Sequence, residues 1–158
     1  MEVTPERQFA EEVGLMMAGM GMPSAYGKLL GYLLICDPPH RTGTELATAL
    51  GLSKGSVSAG LKMLEATKLI RRVATPGQRG MAYQMAPDAM VDAAATDSYR
   101  LFRELLDRGV ALAGGEDTPR TARLRYTRDF YALIEGEIPE IIARFKRDHP
   151  TREGNHGG

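Results

Sequence analysis

Tryptophan is absent, aromatic side chains make up only 6% of the sequence, and a single cysteine occurs among 158 residues. That lone Cys36 cannot close an internal disulfide, so the fold rests on packing and hydrogen bonds, and a reducing cytoplasmic setting is expected. The N-terminus has no basic start followed by the roughly 7 to 15 apolar residues of a secretory leader. No apolar run approaches the roughly 18 residues needed to cross a bilayer, so a membrane partner is excluded on length. Histidine is scarce as well: His40, His149 and His156 are the three, two of them near or in the tail, which leaves no credible triad. No glycine-rich phosphate loop follows a strand, and no paired Cys or His spacing suggests zinc. Catalytic residues, a metal and a cofactor are therefore not expected, and neither is an enzyme.

Net charge is also lacking, since 20 basic residues balance 20 acidic ones. The balance is a cancellation. Between His40 and Tyr83 there are seven basic residues (Arg41, Lys54, Lys62, Lys68, Arg71, Arg72, Arg79) and two acidic ones (Glu45, Glu65), a net of +5, while the rest of the chain carries −5. One basic segment inside an acidic chain is the asymmetry expected when a single lobe faces phosphates, although solvated surface charge clusters in the same way.

The chain is long enough for one domain with a real core, and 43% apolar residues place it among globular proteins. Thr4-Pro5 reads as a helix start, and Phe9, Val13, Met16 and Met20 recur as a buried stripe until Gly19, Gly21 and Pro23 end the helix. A second helix from about Ser24 carries Tyr26, Leu29, Leu30, Leu33 and Leu34, and stops at Asp37-Pro38-Pro39. Thr42-Gly43-Thr44-Glu45 fits a capping box opening a short helix with Leu46, Ala47 and Leu50 inward. Gly51-Leu52-Ser53 interrupts it, and a longer helix runs from Lys54 to about Thr67 on Val57, Leu61 and Leu64. Leu69 to Val73 and Met81 to Met85 read as a β-hairpin around Pro76-Gly77-Gln78-Arg79-Gly80, with Met81, Tyr83 and Met85 on the packed face. Beyond it, one long helix from Pro87-Asp88 to Gly114-Gly115 is predicted. A last helix from about Pro119 to Asp148 carries Phe130, Ile134, Ile138, Ile141 and Phe145, with a kink or break at Pro139.

Two helices joined by a tight glycine turn and followed by a hairpin make a winged helix-turn-helix. Gly51 supplies the left-handed turn and small Ala47 the close approach. The second helix leaves Lys54, Ser56, Ser58, Ala59 and Lys62 exposed, small or basic, with no acid before Glu65. Such a face enters a major groove about 12 Å wide without conflict. Ser53, as N-cap, sets the positive end of that helix where a phosphate can sit, and Arg79 on the glycine-flanked tip reaches a minor groove or the backbone. The bland reading is that the serines cap and solubilise a surface helix.

Gly21-Met22-Pro23, Gly31-Tyr32-Leu33-Leu34, Ser53-Lys54-Gly55-Ser56-Val57-Ser58 and the Pro76-Gly77-Gln78-Arg79 wing resemble the GbsR-type branch of the MarR-like winged-helix transcriptional regulators, over about Phe9 to Tyr83. The resemblance implies an all-α fold apart from the wing, a two-fold homodimer built from the first and last helices, and a recognition helix in each half-site. The apolar stripes of the first and last two helices fit that interface and fit an internal core equally well. The resulting fold class is mainly α with a small β-hairpin wing: a winged-helix lobe plus long helices forming a dimerisation lobe. We expect a single unit over 1–149, with a DNA-binding lobe at about 24–86, dimerisation helices at 1–23 and 87–149, and a disordered tail at 150–158.

The expected partner is double-stranded DNA, bound sequence-specifically at a pseudo-palindromic operator with half-site centres about 34 Å apart. Phosphates are assigned to Ser53, Lys62, Arg72 and Arg79 and base edges to Lys54, Ser56 and Ser58, with Thr42, Ala59 and Gln78 as further DNA-binding residues. Repression by blocking polymerase is expected ahead of activation. The resemblance also implies a small-molecule effector of unknown identity, for which Met16 and Met20 beside Tyr26 offer a soft pocket or simply core. Cys36 is either a redox sensor or an inert buried thiol. A winged-helix scaffold that binds another protein instead of DNA is the alternative function.

Overall fold

The computed structural model describes residues 3–75, 77, 80–115 and 117–150. Helix α1, Pro5–Gly19, starts as the sequence indicates: the Thr4 hydroxyl accepts the Arg7 N–H at 3.2 Å and Pro5 takes the first turn. It packs along α2, Ser24–Ile35, through a face that includes only Val13 of the expected stripe. Ala10 and Gly14 are buried, whereas Phe9, Met16 and Met20 are exposed, Met20 to 70%. The cause is the size of the residues at the crossing. A Cβ on Gly27 would lie 2.8 Å from the Gly14 Cα, and one on Gly31 would lie 3.0 Å from the Ala10 Cα. Of the expected stripe Val13 packs at this crossing, against Gly31, and Phe9, Met16 and Met20 are left outside.

From α2 the chain turns through Asp37-Pro38-Pro39, held by the Arg41 guanidinium, which donates to the Asp37, Pro38 and His40 carbonyls at 2.8, 2.7 and 2.9 Å. A two-residue strand β1, Arg41–Thr42, follows, then α3, Gly43–Leu50, and α4, Lys54–Ala66. Thr42 caps α3 by accepting the Glu45 N–H at 3.1 Å, while the Glu45 carboxylate faces Arg41 at 3.8 Å. Gly51 ends α3 at φ 64°, the left-handed conformation the sequence calls for.

Strands β2, Ile70–Ala74, and β3, Met81–Met85, pair antiparallel with Arg72 opposite Tyr83. β1 adds to the far side of β3, Thr42 opposite Ala82, so the wing is a three-stranded sheet of order β1-β3-β2. As the central strand, β3 buries Ala82 completely and leaves Met81 exposed; Tyr83 and Met85 alone of the expected alternation pack on the core. That core joins Leu29, Leu30 and Leu33 of α2 to Leu46, Leu50, Val57, Leu61, Leu64 and Ile70.

The chain divides into two compact units, Met1–Ala89 and Met90–Gly158. The first contains α1 beside α2 to α4 and the sheet, so α1 belongs to the winged-helix unit, and the unit ends three residues beyond the expected lobe boundary at 86. The single long helix predicted from Pro87 is instead a turn, α5, Ala89–Asp92, and then α6, Ser98–Leu112. The Thr96 hydroxyl takes the Ser98 N–H at 3.1 Å, which diverts the backbone from helical bonding and starts α6 afresh. α7, Pro119–Asp148, begins on a Thr118–Thr121 capping box and continues past Pro139 without a break.

Within the second unit α6 and α7 pack side by side. Leu106 and Thr121 are buried, and Tyr131 receives the Phe102 ring edge-on at 4.7 Å between centroids. Arg103 joins the helices by donating to the Glu135 carboxylate, and it also meets Asp107 at 3.0 Å. Tyr126, Phe130, Leu133, Ile141 and Phe145 remain exposed along α7, as do Leu101, Leu105 and Leu112 on α6. Among the described residues no helix is long and apolar enough to cross a membrane.

Candidate nucleic-acid interface

α4 presents the face its sequence describes. Ser53, Lys54, Ser56, Ser58, Ala59 and Lys62 are all exposed, and Val57, Gly60, Leu61 and Leu64 are buried beneath them. The helix is seated on α2 through Gly60, where an added methyl would collide with the Leu29 side chain. Ser53 caps by accepting the Ser56 N–H at 3.1 Å, and its own hydroxyl donates to Ser56 Oγ at 3.0 Å. The two serines are thus preset against each other at the positive end of the helix, and the Ser56 hydroxyl hydrogen is left for an outside acceptor.

The basic residues of the segment divide into occupied and open ones. Arg41 is committed to backbone carbonyls. Arg71 faces its strand partner Gln84, whose amide oxygen, oriented to suit both groups, accepts from Nε at 3.2 Å and Nη2 at 2.9 Å. Arg72, expected to hold a phosphate, instead donates through Nε to both oxygens of Glu65, at 3.2 and 3.0 Å, with its guanidinium carbon 5.9 Å from the Tyr83 ring centroid. The hydrogen bond to Glu65 raises the Arg72 pKa, so its charge is permanent but already balanced. Among the described residues no ion pair engages Lys54, Lys62 or Lys68, and these lysines supply the open positive charge of the face. Lys68, just past α4 at φ 61°, was not singled out by the sequence because nothing in its neighbours marks it as outward-facing.

Thr42 is half-buried and its hydroxyl oxygen is used in capping α3. Gln78 and Arg79 at the wing tip, like Pro76, lie outside the described residues, as does the tail from 151. The expected soft pocket is not assembled: Tyr26 is buried while Met16 and Met20 point outward on α1, because the glycine crossing turns that stripe away. Tyr26 lines a concavity of about 190 Å³ with Pro23, Ser56, Ala59, Gly60 and Met63. A second concavity, of about 230 Å³, opens between α3, α4 and β3 and is lined by Gly43, Thr44, Lys54, Val57, Ser58, Leu61 and Tyr83. Cys36 ends α2 as a buried thiol with Sγ 3.6 Å from the Pro39 carbonyl, and burial pushes its pKa up, the opposite of what a reactive thiolate needs. Among the described residues no three metal-binding side chains gather.

Two family models match the chain in succession, the MarR family over residues 20–79 and the MmpR5-like MarR family transcriptional regulators over 88–149. The HTH-type transcriptional regulator MmpR5 of Mycobacterium tuberculosis (strain ATCC 25618 / H37Rv) is 32% identical over 145 residues, covering 89% of this chain and 86% of that protein. A crystal structure of a transcriptional regulator superposes with a TM-score of 0.79 at 29% identity, over 91% of this chain and 99% of the other.

Proposed function

Because this chain belongs to the MarR family of DNA-binding transcriptional regulators, we propose that it acts as a two-fold dimeric repressor on a pseudo-palindromic operator. α4 enters the major groove and the wing follows the minor groove or the backbone. The observation that carries this reading is the exposed face of α4, where Lys54, Ser56, Ser58, Ala59 and Lys62 offer small or basic groups over a buried apolar seat. Lys54, Ser56, Ser58 and Ala59 read base edges, and Ser53 and Lys62 hold phosphates, joined by Gln78 and Arg79 from the wing.

The dimer is supported by the apolar side chains exposed on α6 and α7, since an unpaired run such as Tyr126, Phe130 and Leu133 is costly in water. The apolar side chains exposed on α1 are offered to a partner protomer as well, so 1–23 and 87–149 are the proposed dimerisation helices. The GbsR-type assignment within the family rests on Gly21-Met22-Pro23 and the Ser53–Ser58 run. A cytoplasmic repressor released by a small-molecule effector completes the reading.

Footprinting of purified protein on the DNA upstream of its own and adjacent genes, with excess competitor DNA, tests it. A near-symmetric protected site with half-site centres about 34 Å apart is expected. No protected site at any salt concentration overturns the reading in favour of a scaffold that binds protein.

A further inference from the structure

The concavity between α3, α4 and β3 differs from the rest of the face in the state of its polar groups. Thr44, Ser58, Tyr83 and Lys54 line it, residues that carry three hydroxyls and an ammonium. Among the described residues none of these four ends has a hydrogen bond or an ion pair, whereas the hydroxyl oxygens of Thr42 and Ser53 are spent on caps. Val57 and Leu61 form the floor, so the polar groups stand as a rim over an apolar base. Among the described residues no carboxylate lines it, and the two acids of α3 and α4 are engaged elsewhere: Glu45 faces Arg41 at 3.8 Å and Glu65 is held by Arg72 at 3.0 Å. Four donors, one of them a fixed positive charge, with no acid among them, describe a receptor for an oxyanion.

We propose that this concavity seats one backbone phosphate of the bound DNA, with Thr44 and Tyr83 as contact residues beside Lys54 and Ser58. The proposal rests on the DNA-binding reading and sharpens it. Lys54 turns from reading a base to anchoring a phosphate, and the first helix of the motif and the central wing strand each contribute a hydroxyl. A contact spanning α3, α4 and β3 fixes the angle at which α4 enters the groove, because all three elements must hold the same phosphate.

The test uses the full-length protein and two probes, a duplex from upstream of its own gene and an unrelated duplex of equal length. Thr44→Val and Tyr83→Phe remove a hydroxyl each at constant shape. Gly43→Ala adds a methyl 3.9 Å from Leu61 Cδ1 and Val57 Cγ1, an ordinary contact that the fold accepts while the floor narrows. Each variant is expected to melt within a degree or two of the parent and to weaken binding to both duplexes alike, Thr44→Val and Tyr83→Phe by a factor of about 3 to 10, the scale of one lost hydrogen bond, and Gly43→Ala by crowding the seat. A duplex carrying a neutral methylphosphonate at the contacted position should weaken the parent and leave the Thr44→Val, Tyr83→Phe double variant nearly unaffected. Unchanged affinity in all three variants, or loss on the upstream duplex alone, overturns the phosphate seat. Micromolar binding of inorganic phosphate with DNA affinity unaltered in the variants assigns the seat to a free anion and overturns it too. If the parent binds neither duplex, the regulator reading itself falls, and that result is distinct from failure of the seat.

Discussion

Glu65 and Arg72 face each other across the end of α4 and the start of β2, both carboxylate oxygens accepting from the same Nε at 3.2 and 3.0 Å. The pair removes one positive and one negative charge together from the surface proposed to face DNA. Glu65→Gln is expected to free the Arg72 charge and so tighten binding to an unrelated duplex several-fold at low salt. The plot of log affinity against log salt should steepen by up to about 0.9, the value of one added phosphate neutralised. Fluorescence anisotropy over a salt series measures both, and an unchanged slope shows that Arg72 stays out of reach of DNA.

The open lysines and the committed arginine make a matched contrast. Lys62→Gln and Lys68→Gln should each lower the salt slope by about 0.9 if each meets a phosphate. Arg41→Gln should leave the slope alone and lower the melting temperature, since Arg41 holds the turn after α2 through three carbonyl oxygens. The same anisotropy series together with thermal melts separates the two outcomes.

Gly60 allows α4 to lie against Leu29. Gly60→Ala forces the two helices apart or Leu29 out of its rotamer, and overpacking of this kind costs about 1–3 kcal/mol. A lower denaturation midpoint and weaker DNA binding are expected together, because the same displacement moves the recognition face. The companion Leu29→Ala in the Gly60→Ala background should recover part of the binding loss, as judged by denaturant titration and anisotropy.

In the second unit Glu135 is held below the ordinary glutamate range, chiefly by its hydrogen bond from Arg103. A carboxyl whose folded pKa is depressed adds stability that is complete above its unfolded value, about 4.3, and is lost as the pH falls through the folded one. Melting temperature should therefore drop on acidification below about pH 5, and Glu135→Gln should flatten that part of the profile. Circular dichroism melts across the acid range decide it; parallel profiles for parent and variant show that the pair adds nothing on folding.

Local chemistry was readable from the sequence wherever one residue does one job. Thr4, Thr42 and Ser53 stand where the helices begin, and Gly51 takes the left-handed turn between α3 and α4. What escaped is whatever depends on a neighbour distant in the chain. The buried face of α1 is chosen by Gly14 meeting Gly27, and apolar periodicity gives weight to large side chains, so it pointed to Phe9, Met16 and Met20. β1 has two residues and no pattern of its own; it exists because β3 offers a free edge. Arg72 looked available because Glu65 lies seven positions earlier, a separation that no helical spacing rule pairs. Tyr83 read as core, and it does pack there in part, but it also lines the concavity between α3 and α4.

The glycine crossing of α1 and α2 also has a mechanical side. A Cβ at Gly27 would come within 2.9 Å of Met17 Cβ and of the Val13 carbonyl, so any side chain placed there has to push the two helices apart. α2 is also the bed on which Gly60 seats α4, so a separation forced at the α1–α2 crossing is felt under the helix proposed to read DNA.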